Sequence, residues 1–372
     1  MQNLYWFNPE NDIALGRGCN RFTPPRQAAL LAQYGAPLMW WLGDKHDYML
    51  VQQVDEQFDA WQNVLEQRFG AGPRAVLSLD GIALNELKPW GWSAYTVNRL
   101  RSMGATDDVL APRMARVEKM RMLSHRRTAS EVNRRLATEV DYAQFGMCVP
   151  EAAFEAFNEV DCYAFMREHE RFYLKSPWSS SGRGVVSSLS ASQERLLQRA
   201  MSVIREQGSV MFEPAHEKVA DFAMLFYADA GGKVTLHGYS RFFNARGAAY
   251  EGNMIASDEE IKCGLSEFVP SAVLDATESA LQSVLTDILQ QGYCGFLGVD
   301  MMIAQDALSR KIYLVPCVEV NLRMTMGVVA HAVYDRMKCR GVMRIAPRAD
   351  IPLTAVPLVP ANSHFSIFFE PE

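Results

Sequence analysis

Apolar and polar positions follow two different patterns along the chain, and the change between them divides it. In the first third, short apolar runs alternate with stretches of helical periodicity. This pattern predicts strands at 4–7, 37–42 and 75–79 and helices at 27–34 and 48–69. Strands that alternate with helices are typical of a layered α/β domain. We expect this domain to end in the segment 103–116, which carries a glycine, two aspartates and a proline.

The last two thirds of the chain mix hairpins with helices and predict an α+β arrangement. A basic helical region at 117–139 is followed by strands at 172–175, 185–187 and 210–212, a hairpin of 222–227 with 233–239, and strands at 298–303 and 311–321. One helix is predicted to begin at a capping box of Ser190 with Gln193 and to end at Gly208. Another covers 271–291, with Gly292 just past its end.

Charge and composition narrow the classes of function. The chain has 372 residues, with 37 Lys and Arg against 43 Asp and Glu and a formal charge of −6. An acidic chain is a poor electrostatic match for nucleic acid. The sequence contains no apolar stretch of the roughly 20 residues that a membrane helix needs, and its start lacks a basic segment followed by an apolar run. We therefore expect a cytoplasmic protein with neither nucleic acid nor membrane as a partner.

The most distinctive segment is 172–186, where a lysine at a strand end precedes a loop of small residues and a returning strand. The loop, called the flap below, consists of Ser179, Ser180, Ser181, Gly182, Arg183 and Gly184. Small residues let backbone N–H groups approach a polyanion, and Lys175 supplies a point charge for a phosphate. The spacing is not that of a Walker A loop. A solvated turn between two strands explains the flap alone equally well.

A second cluster is suited to a hard metal ion. Seven cysteines and seven histidines show neither C-x-x-C nor H-x-x-x-H spacing, so any metal is expected to be bound by oxygen. Strand periodicity places Glu319 and Asn321 on one face, and Asp300 lies on the preceding strand. The oxygens of these three side chains are ligands that Mg²⁺ accepts. When Glu319 and Asn321 are considered alone, two exposed polar positions on an edge strand explain them better. A hairpin centred near residue 307 makes Asp300 and Glu319 diagonal, unless a bulge near Pro316 corrects the offset.

Three further residues are weaker candidates on their own. Glu213 stands at a strand end, and Asp221, eight residues later, is placed to bind a ribose diol. Arg126 on the basic helix is placed to reach a phosphate. Taken alone, these residues are better explained as solvated positions at strand ends and on an exposed helix face. The acidic and amide cluster at 8–12, after the first strand, is explained either as part of a cleft or as a capped turn.

The order and spacing of these groups resemble the ATP-grasp superfamily of ATP-dependent ligases. The resemblance covers about residues 116–330 and matches Arg126 to the first cation, Lys175 and the flap to the phosphate-binding unit, and Glu213 to the hinge acid. It matches Asp221 to the ribose acid and Asp300, Glu319 and Asn321 to the magnesium ligands. It implies a Rossmann-like α/β domain at 1–115, followed by an ATP-grasp fold of two subdomains at 116–208 and 209–372.

The resemblance also implies an activity. We expect ATP and Mg²⁺, with Mn²⁺ as a substitute, to serve a ligase that activates a small-molecule or peptide carboxylate as an acyl phosphate for an amine or thiol. Leu297 and Gly298 stand where many of these ligases carry an arginine, so the cation for the acyl phosphate is expected to be Arg241 or Arg323. A small-molecule kinase and a nucleotide-binding module without turnover remain alternatives, and a homodimer is one expected assembly.

Overall fold

The computed structural model describes residues 2–148, 150, 152–179, 184–244, 250–346 and 351–372, and its strands form three sheets within these ranges. The chain begins with an α/β unit. Its elements are β1 Asn3–Trp6, α1 Asn11–Arg17, α2 Arg26–Gly35, β2 Tyr48–Leu50, α3 Glu56–Phe69, β3 Arg74–Val76, β4 Glu86–Pro89, α4 Ala94–Ser102 and α5 Asp107–Met114. The strands are parallel in the order β3-β2-β1-β4. This order, with helices between the strands, confirms the predicted Rossmann-like unit.

Two predictions in this unit are wrong. The apolar segment at 37–42 is not a strand but a buried 3₁₀ helix, Ala36–Trp41, with Pro37 in its first turn. The stretch at 48–69 is not one helix, because its first three residues form β2 and the helix α3 begins after Asp55. The carboxylate of Asp55 accepts a hydrogen bond from the backbone nitrogen of Phe58 at 2.9 Å and so fixes the start of α3.

A small antiparallel sheet follows. Its part of the chain contains α6 Val117–Leu123, α7 Arg127–Glu139, β5 Phe154–Ala156, α8 Glu159–Glu168, β6 Phe172–Lys175, β7 Val185–Ser187, α9 Gln193–Gln207 and β8 Val210–Pro214. The strand order is β5-β8-β6-β7, and α8 and α9 bury their apolar faces against it. Because β8 pairs with β5 and β6, the predicted boundary between residues 208 and 209 falls before the last strand of this sheet.

The remaining chain builds a large antiparallel sheet. Its elements are β9 Glu217–Ala228, β10 Val234–Asn244, β11 Tyr250–Ile255, α10 Asp258–Ser266, α11 Ser271–Leu289, β12 Gly295–Gln305, β13 Ile312–Asn321, α12 Met326–Met337, β14 Gly341–Ala346, β15 Val356–Pro357 and β16 Ser366–Pro371. The order is β13-β12-β9-β10-β11-β14-β16-β15. Phe222 and Met224 of β9 face a core with α10 and α11, whereas Ala223 and Leu225 face Val328 of α12. The two faces of the sheet are therefore covered by different helices.

The C-terminal strands share a core with the N-terminal unit. Tyr5 and Trp41 from the start of the chain lie in one apolar cluster with Met343, Ile367 and Phe369. The indole nitrogen of Trp41 donates to the carbonyl oxygen of Leu358 at 3.1 Å. None of the helices in the described ranges is both long and apolar enough to cross a lipid bilayer. The α/β unit followed by antiparallel sheets with helices confirms the predicted fold class.

Candidate functional site

Arg126 lies at the break between α6 and α7 and contacts two parts of the molecule at once. Its backbone nitrogen donates to the Pro177 carbonyl at 3.1 Å, and its Nε donates to the Ser176 carbonyl at 3.1 Å. Its Nη2 donates to the Ser179 hydroxyl at 3.1 Å. Its Nη1 makes an ion pair with Glu319 Oε2 at 2.9 Å. Arg126 therefore joins the segment that leads into the flap to strand β13 of the large sheet.

The surroundings of Arg126 determine its charge and that of its neighbour His125. His125 is buried with its ring edge against Trp178, at 4.6 Å between ring centroids. Burial, together with the charge of Arg127, lowers the pKa of His125 to about 4, so its imidazole is neutral near pH 7. Burial would likewise lower the pKa of Arg126, but the charges of Glu319 and Glu213 outweigh burial and raise it. The guanidinium is thus a fixed positive charge in the cleft.

Lys175, at the end of β6, makes an ion pair with Glu213 of β8. The two strands are neighbours, with Lys175 opposite Met211 and Tyr173 opposite Glu213. The side chains of Lys175 and Glu213 therefore lie diagonally on one face of the small sheet. Both are mostly buried, with 10% and 19% of each side chain exposed. The predicted phosphate lysine and hinge acid are brought together.

The structure describes the two ends of the flap, Ser179 and Gly184. Ser180, Ser181, Gly182 and Arg183 lie outside the described residues. Ser179 contacts Arg126, as given above, and the carbonyl of Gly184 accepts a hydrogen bond from the nitrogen of Ser176 at 2.9 Å. Gly184 has φ +76°, and a Cβ at this position would lie 2.7 Å from the Ser176 hydroxyl. The turn back into β7 therefore requires a glycine.

The three predicted metal ligands meet on one face of the large sheet. Asp300 of β12 lies directly opposite Glu319 of β13, and residues 316–318 form a bulge opposite Met301 alone. The predicted bulge near Pro316 is confirmed. It adds two residues to β13, so the register shifts while Glu319 stays on the face of Asp300. The amide nitrogen of Asn321 donates to Asp300 Oδ2 at 3.0 Å.

The electrostatics of this face favour a bound cation. Burial is the largest cause that raises the pKa of Asp300 to about 7, and the charge of Glu319 raises it further. Two facing, partly buried carboxylates are unfavourable without positive charge beside them, and Arg126 and Arg323 supply part of that charge. Asn321 now presents its amide nitrogen to Asp300, so its oxygen would reach a shared metal only after a rotation of the amide. Asp300 and Glu319 thus fit a hard cation that takes its other oxygens elsewhere.

Arg323 continues the same face and connects it to the N-terminal unit. Its Nε donates to Asp12 Oδ2 at 2.7 Å, and its Nη2 donates to Asn321 Oδ1 at 2.9 Å. Asp12 belongs to the cluster at 8–12, for which the sequence left two explanations open. In the structure, different members of that cluster have different roles. Asn8 is fully buried and bonds Gly91 on the loop after β4, so its role is structural. Asp12 alone reaches the site. A buried arginine needs an acidic partner, a requirement that was not used to single out Asp12 from the sequence.

Asp221 lies on the same face, because it is opposite Met302, two residues after Asp300. Its Oδ2 accepts hydrogen bonds from Lys218 at 2.5 Å and from Asn244 at 2.9 Å. Within the described ranges, no donor is recorded for the other carboxylate oxygen, Oδ1. Among the described residues, no group of three or more His, Cys, Asp and Glu side chains has metal-binding geometry. The metal candidates are therefore two carboxylates and an amide, as the sequence indicated.

Arg241 requires a correction. It lies opposite Phe222 on β9, and Phe222 lies opposite Met301, so these residues share a face. Asp300 lies on the other face, because successive strand residues alternate. A Cβ on Gly264 of α10 would be 3.3 Å from the Arg241 guanidinium, which confirms that the side chain points towards α10. The structure therefore removes Arg241 from the site and leaves Arg323 there.

No protein-family model matches the chain, and no curated protein matches it. Solved structures do match. Biotin carboxylase from Campylobacter jejuni, described as a β,γ-ATP complex, has a TM-score of 0.50 at 11% identity and covers 99% of this chain and 86% of its own. Phosphoribosylamine–glycine ligase from Thermotoga maritima has a TM-score of 0.50 at 10% identity, with coverages of 100% and 90%. At these identities the similarity shows the fold alone, and that fold, ATP-grasp, is the one predicted for this chain.

Proposed function

We propose that this protein is a Mg²⁺- and ATP-dependent ligase that activates a small-molecule or peptide carboxylate for attack by an amine or thiol. The observation that carries the proposal is the double contact of Arg126, which bonds Ser179 of the flap and Glu319 of the metal face. A cation shared between these two elements stands where a nucleotide's phosphates would meet its metal. The ATP-grasp fold and the similarity to an ATP-bound biotin carboxylase support the proposal.

The ion pairs of the cleft indicate how the nucleotide would be held. Lys175 and Arg126 are now neutralised by Glu213 and Glu319, and phosphate oxygens would replace or share these partners. Asp221, with one oxygen unused, would bind the ribose, and Glu213 would lie at the hinge between the small and large sheets. Backbone N–H groups of the flap are expected to donate to the phosphates.

The metal would be held by Asp300 and Glu319, with Asn321 after its amide rotates. Mg²⁺ bound there would neutralise charge on the phosphates of the nucleotide. Mg²⁺ keeps waters and borrows phosphate oxygens, which suits a face with two carboxylates and one amide. Mn²⁺ accepts the same donors.

The proposed reaction has two steps. A carboxylate oxygen of the substrate attacks the γ-phosphorus, the bond from that phosphorus to the β,γ-bridging oxygen breaks, and ADP leaves with the bridging oxygen. The amine or thiol then attacks the acyl carbon, inorganic phosphate leaves, and the nucleophile loses a proton to solvent. This chemistry depends on positioning and charge neutralisation rather than on a covalent nucleophile. Arg323, oriented by Asp12, is the cation on this face that we assign to the acyl phosphate.

The test is a screen for ADP release with Mg²⁺ and ATP over amino acids, dipeptides and other small carboxylates, repeated with hydroxylamine. Carboxylate-dependent ADP release that also yields a hydroxamate supports an acyl phosphate and therefore a ligase. ADP release with phosphate on a stable product and no hydroxamate indicates a kinase. Tight ATP binding with no ADP release from any carboxylate indicates a module without turnover. Either of the last two results would overturn the ligase assignment.

A further inference from the structure

A cavity of about 220 Å³ lies within the N-terminal α/β unit. It is located at the carboxyl ends of β1 and β2, between α2 and α4, a common place for ligands in parallel sheets. Its lining residues all fall between Trp6 and Met103, so it is separate from the site around Arg126. It is larger than the ~150 Å³ cavity that holds benzene in a well-studied engineered protein.

The sequence explains why space remains here. Helix α2 presents Ala29 and Ala32 to the cavity, one turn apart on the same side, and Ala36 follows in the next segment. Their methyl groups fill little of the space that they share with the other lining residues, which include Trp6 and Tyr95. The cavity wall is therefore apolar on this side, whereas Gln33, Gln52 and Arg99 line it elsewhere.

One carboxylate oxygen that lines the cavity lacks a hydrogen-bond partner among the described residues. Glu10 is 3% exposed, and its Oε2 is buried with no hydrogen-bond partner among the described residues. A buried polar atom left unpaired is costly, and a carboxylate more so. Burial raises the pKa of Glu10 to about 7. The charged or titratable neighbours that act on it are Arg99, which is exposed at the rim, and the buried phenol of Tyr95.

We infer that this cavity binds a small molecule with an ammonium group on a short apolar body, and that the ammonium donates to Glu10. An ammonium supplies both the missing donor and the opposite charge. The apolar body matches the walls formed by Trp6, Ala32 and Met103. The inference does not depend on the proposed ligase reaction, since none of the cleft residues takes part.

The test uses the full-length protein without nucleotide and three probes of similar shape: isopentylamine, isopentanol and 4-methylpentanoate. Titration calorimetry should show roughly millimolar binding of the amine, with the alcohol at least about tenfold weaker and the acid not bound. At about pH 6, where Glu10 is mostly protonated, amine binding should release close to one proton per ligand. In buffers at about pH 8.5 that release should nearly vanish.

Two variants keep the inference falsifiable. Glu10→Gln keeps the shape and removes the charge, and should weaken amine binding about tenfold or more. Ala32→Leu fills the cavity while leaving Glu10 intact, and should abolish binding of all probes. The control is Glu139→Gln on the exposed end of α7. Equal binding of amine and alcohol, amine binding unchanged in both variants, or no amine binding at all would overturn the inference.

Discussion

Arg126 and Glu319 form a 2.9 Å ion pair that joins the α6–α7 break to strand β13. The partners are 7% and 25% exposed, and the same guanidinium bonds the carbonyl of Ser176 and the hydroxyl of Ser179. A largely buried charge pair is stable only with further hydrogen bonds of this kind. The cleft is therefore already organised by a cation before any ligand enters, and a nucleotide would exchange partners with it rather than create it.

Replacing Arg126 tests this organisation. Arg126→Ala should weaken Mg²⁺–ATP binding by about 10- to 100-fold, because a charge-assisted contact is lost and Glu319 is left unpaired. Arg126→Lys should recover part of the affinity, since it keeps the charge but loses the forked donors. Titration calorimetry with a non-hydrolysable ATP analogue measures both. Arg134→Ala is the control, because Arg134 is exposed and pairs only with Glu131 among the described residues.

Lys175 gives a second prediction. Lys175→Ala removes the point charge expected at the phosphates and leaves Glu213 without its cation. We expect Mg²⁺–ATP binding to weaken by about tenfold or more, while the far-ultraviolet circular dichroism spectrum stays that of the wild type. An unchanged dissociation constant would remove Lys175 from the nucleotide site.

Asp300→Asn should raise the stability of the metal-free protein and lower its activity. The substitution relieves repulsion between Asp300 and Glu319, which lie opposite each other on neighbouring strands. The metal-free protein should therefore melt about 1–3 °C higher at neutral pH, whereas Mg²⁺-dependent ADP release should fall at least about 100-fold. Calorimetric melting and an ADP assay decide the matter. A lower melting temperature with full ADP release would contradict both halves of the prediction.

Arg241 supplies the contrasting case. Because its side chain lies beside Gly264 on the face away from Asp300, Arg241→Ala should change the affinity for Mg²⁺–ATP by less than about twofold. A loss comparable to that of Arg126→Ala would show that the strand alternation does not decide its role.

A pH dependence is expected from the pair of His331 and Asp258. His331 Nε2 lies 2.9 Å from Asp258 Oδ1, and the same oxygen accepts from the Tyr239 nitrogen at 2.7 Å. Burial would lower the pKa of His331, but the hydrogen bond and charge of Asp258 outweigh it and raise that pKa. Burial would raise the pKa of Asp258, yet the bond from His331 lowers it.

The sign follows from these directions. A histidine whose pKa is raised by folding stabilises fully below its unfolded value of about 6.5, and the effect is lost as pH rises through the folded value. The aspartate contributes above its unfolded value of about 3.9 and loses its effect as pH falls through its lowered pKa. The stability difference between wild type and His331→Gln should thus peak between about pH 4 and 6.5. Since Asp258 is 36% exposed, we expect less than about 1 kcal/mol. Thermal unfolding across pH measures it, and a flat difference would contradict the pairing.

Local signals in the sequence were enough for much of the site. Every second residue along a strand lies on the same face, so the sequence alone could place Glu319, Asn321 and Arg323 together. The register of β12 against β13 could not be fixed from the sequence, because it depends on the two extra residues in the bulge at 316–318. The prediction that Arg241 belongs to the site was wrong for a related reason. Its face depends on the pairing of β10 with β9, and the irregularity between Leu236 and Gly238 shifts that register.

Helix ends show a similar limit. The predicted capping box at Ser190 is wrong, because the N-cap is Ser192, whose hydroxyl accepts from the Arg195 nitrogen; Ser190 instead donates to the carbonyl of Ser187. Gly208, at φ +88°, ends that helix as predicted. At the end of α11 the left-handed position is taken by Gln290 rather than Gly292. Several serines or several turn residues in a row offer competing caps, and only tertiary packing selects among them.

The cluster that joins Tyr5 and Trp41 to Ile367 and Phe369 has a consequence for biosynthesis. The ribosome releases the N-terminal unit long before the strand Ser366–Pro371 has been made. Until then Trp41 and Trp61 lack the carbonyls of Leu358 and Pro357 to which their indoles donate, and an apolar surface stays open to water. The nascent chain therefore cannot complete its first domain in order of synthesis, and chaperones that recognise exposed aromatic surface would meet it there.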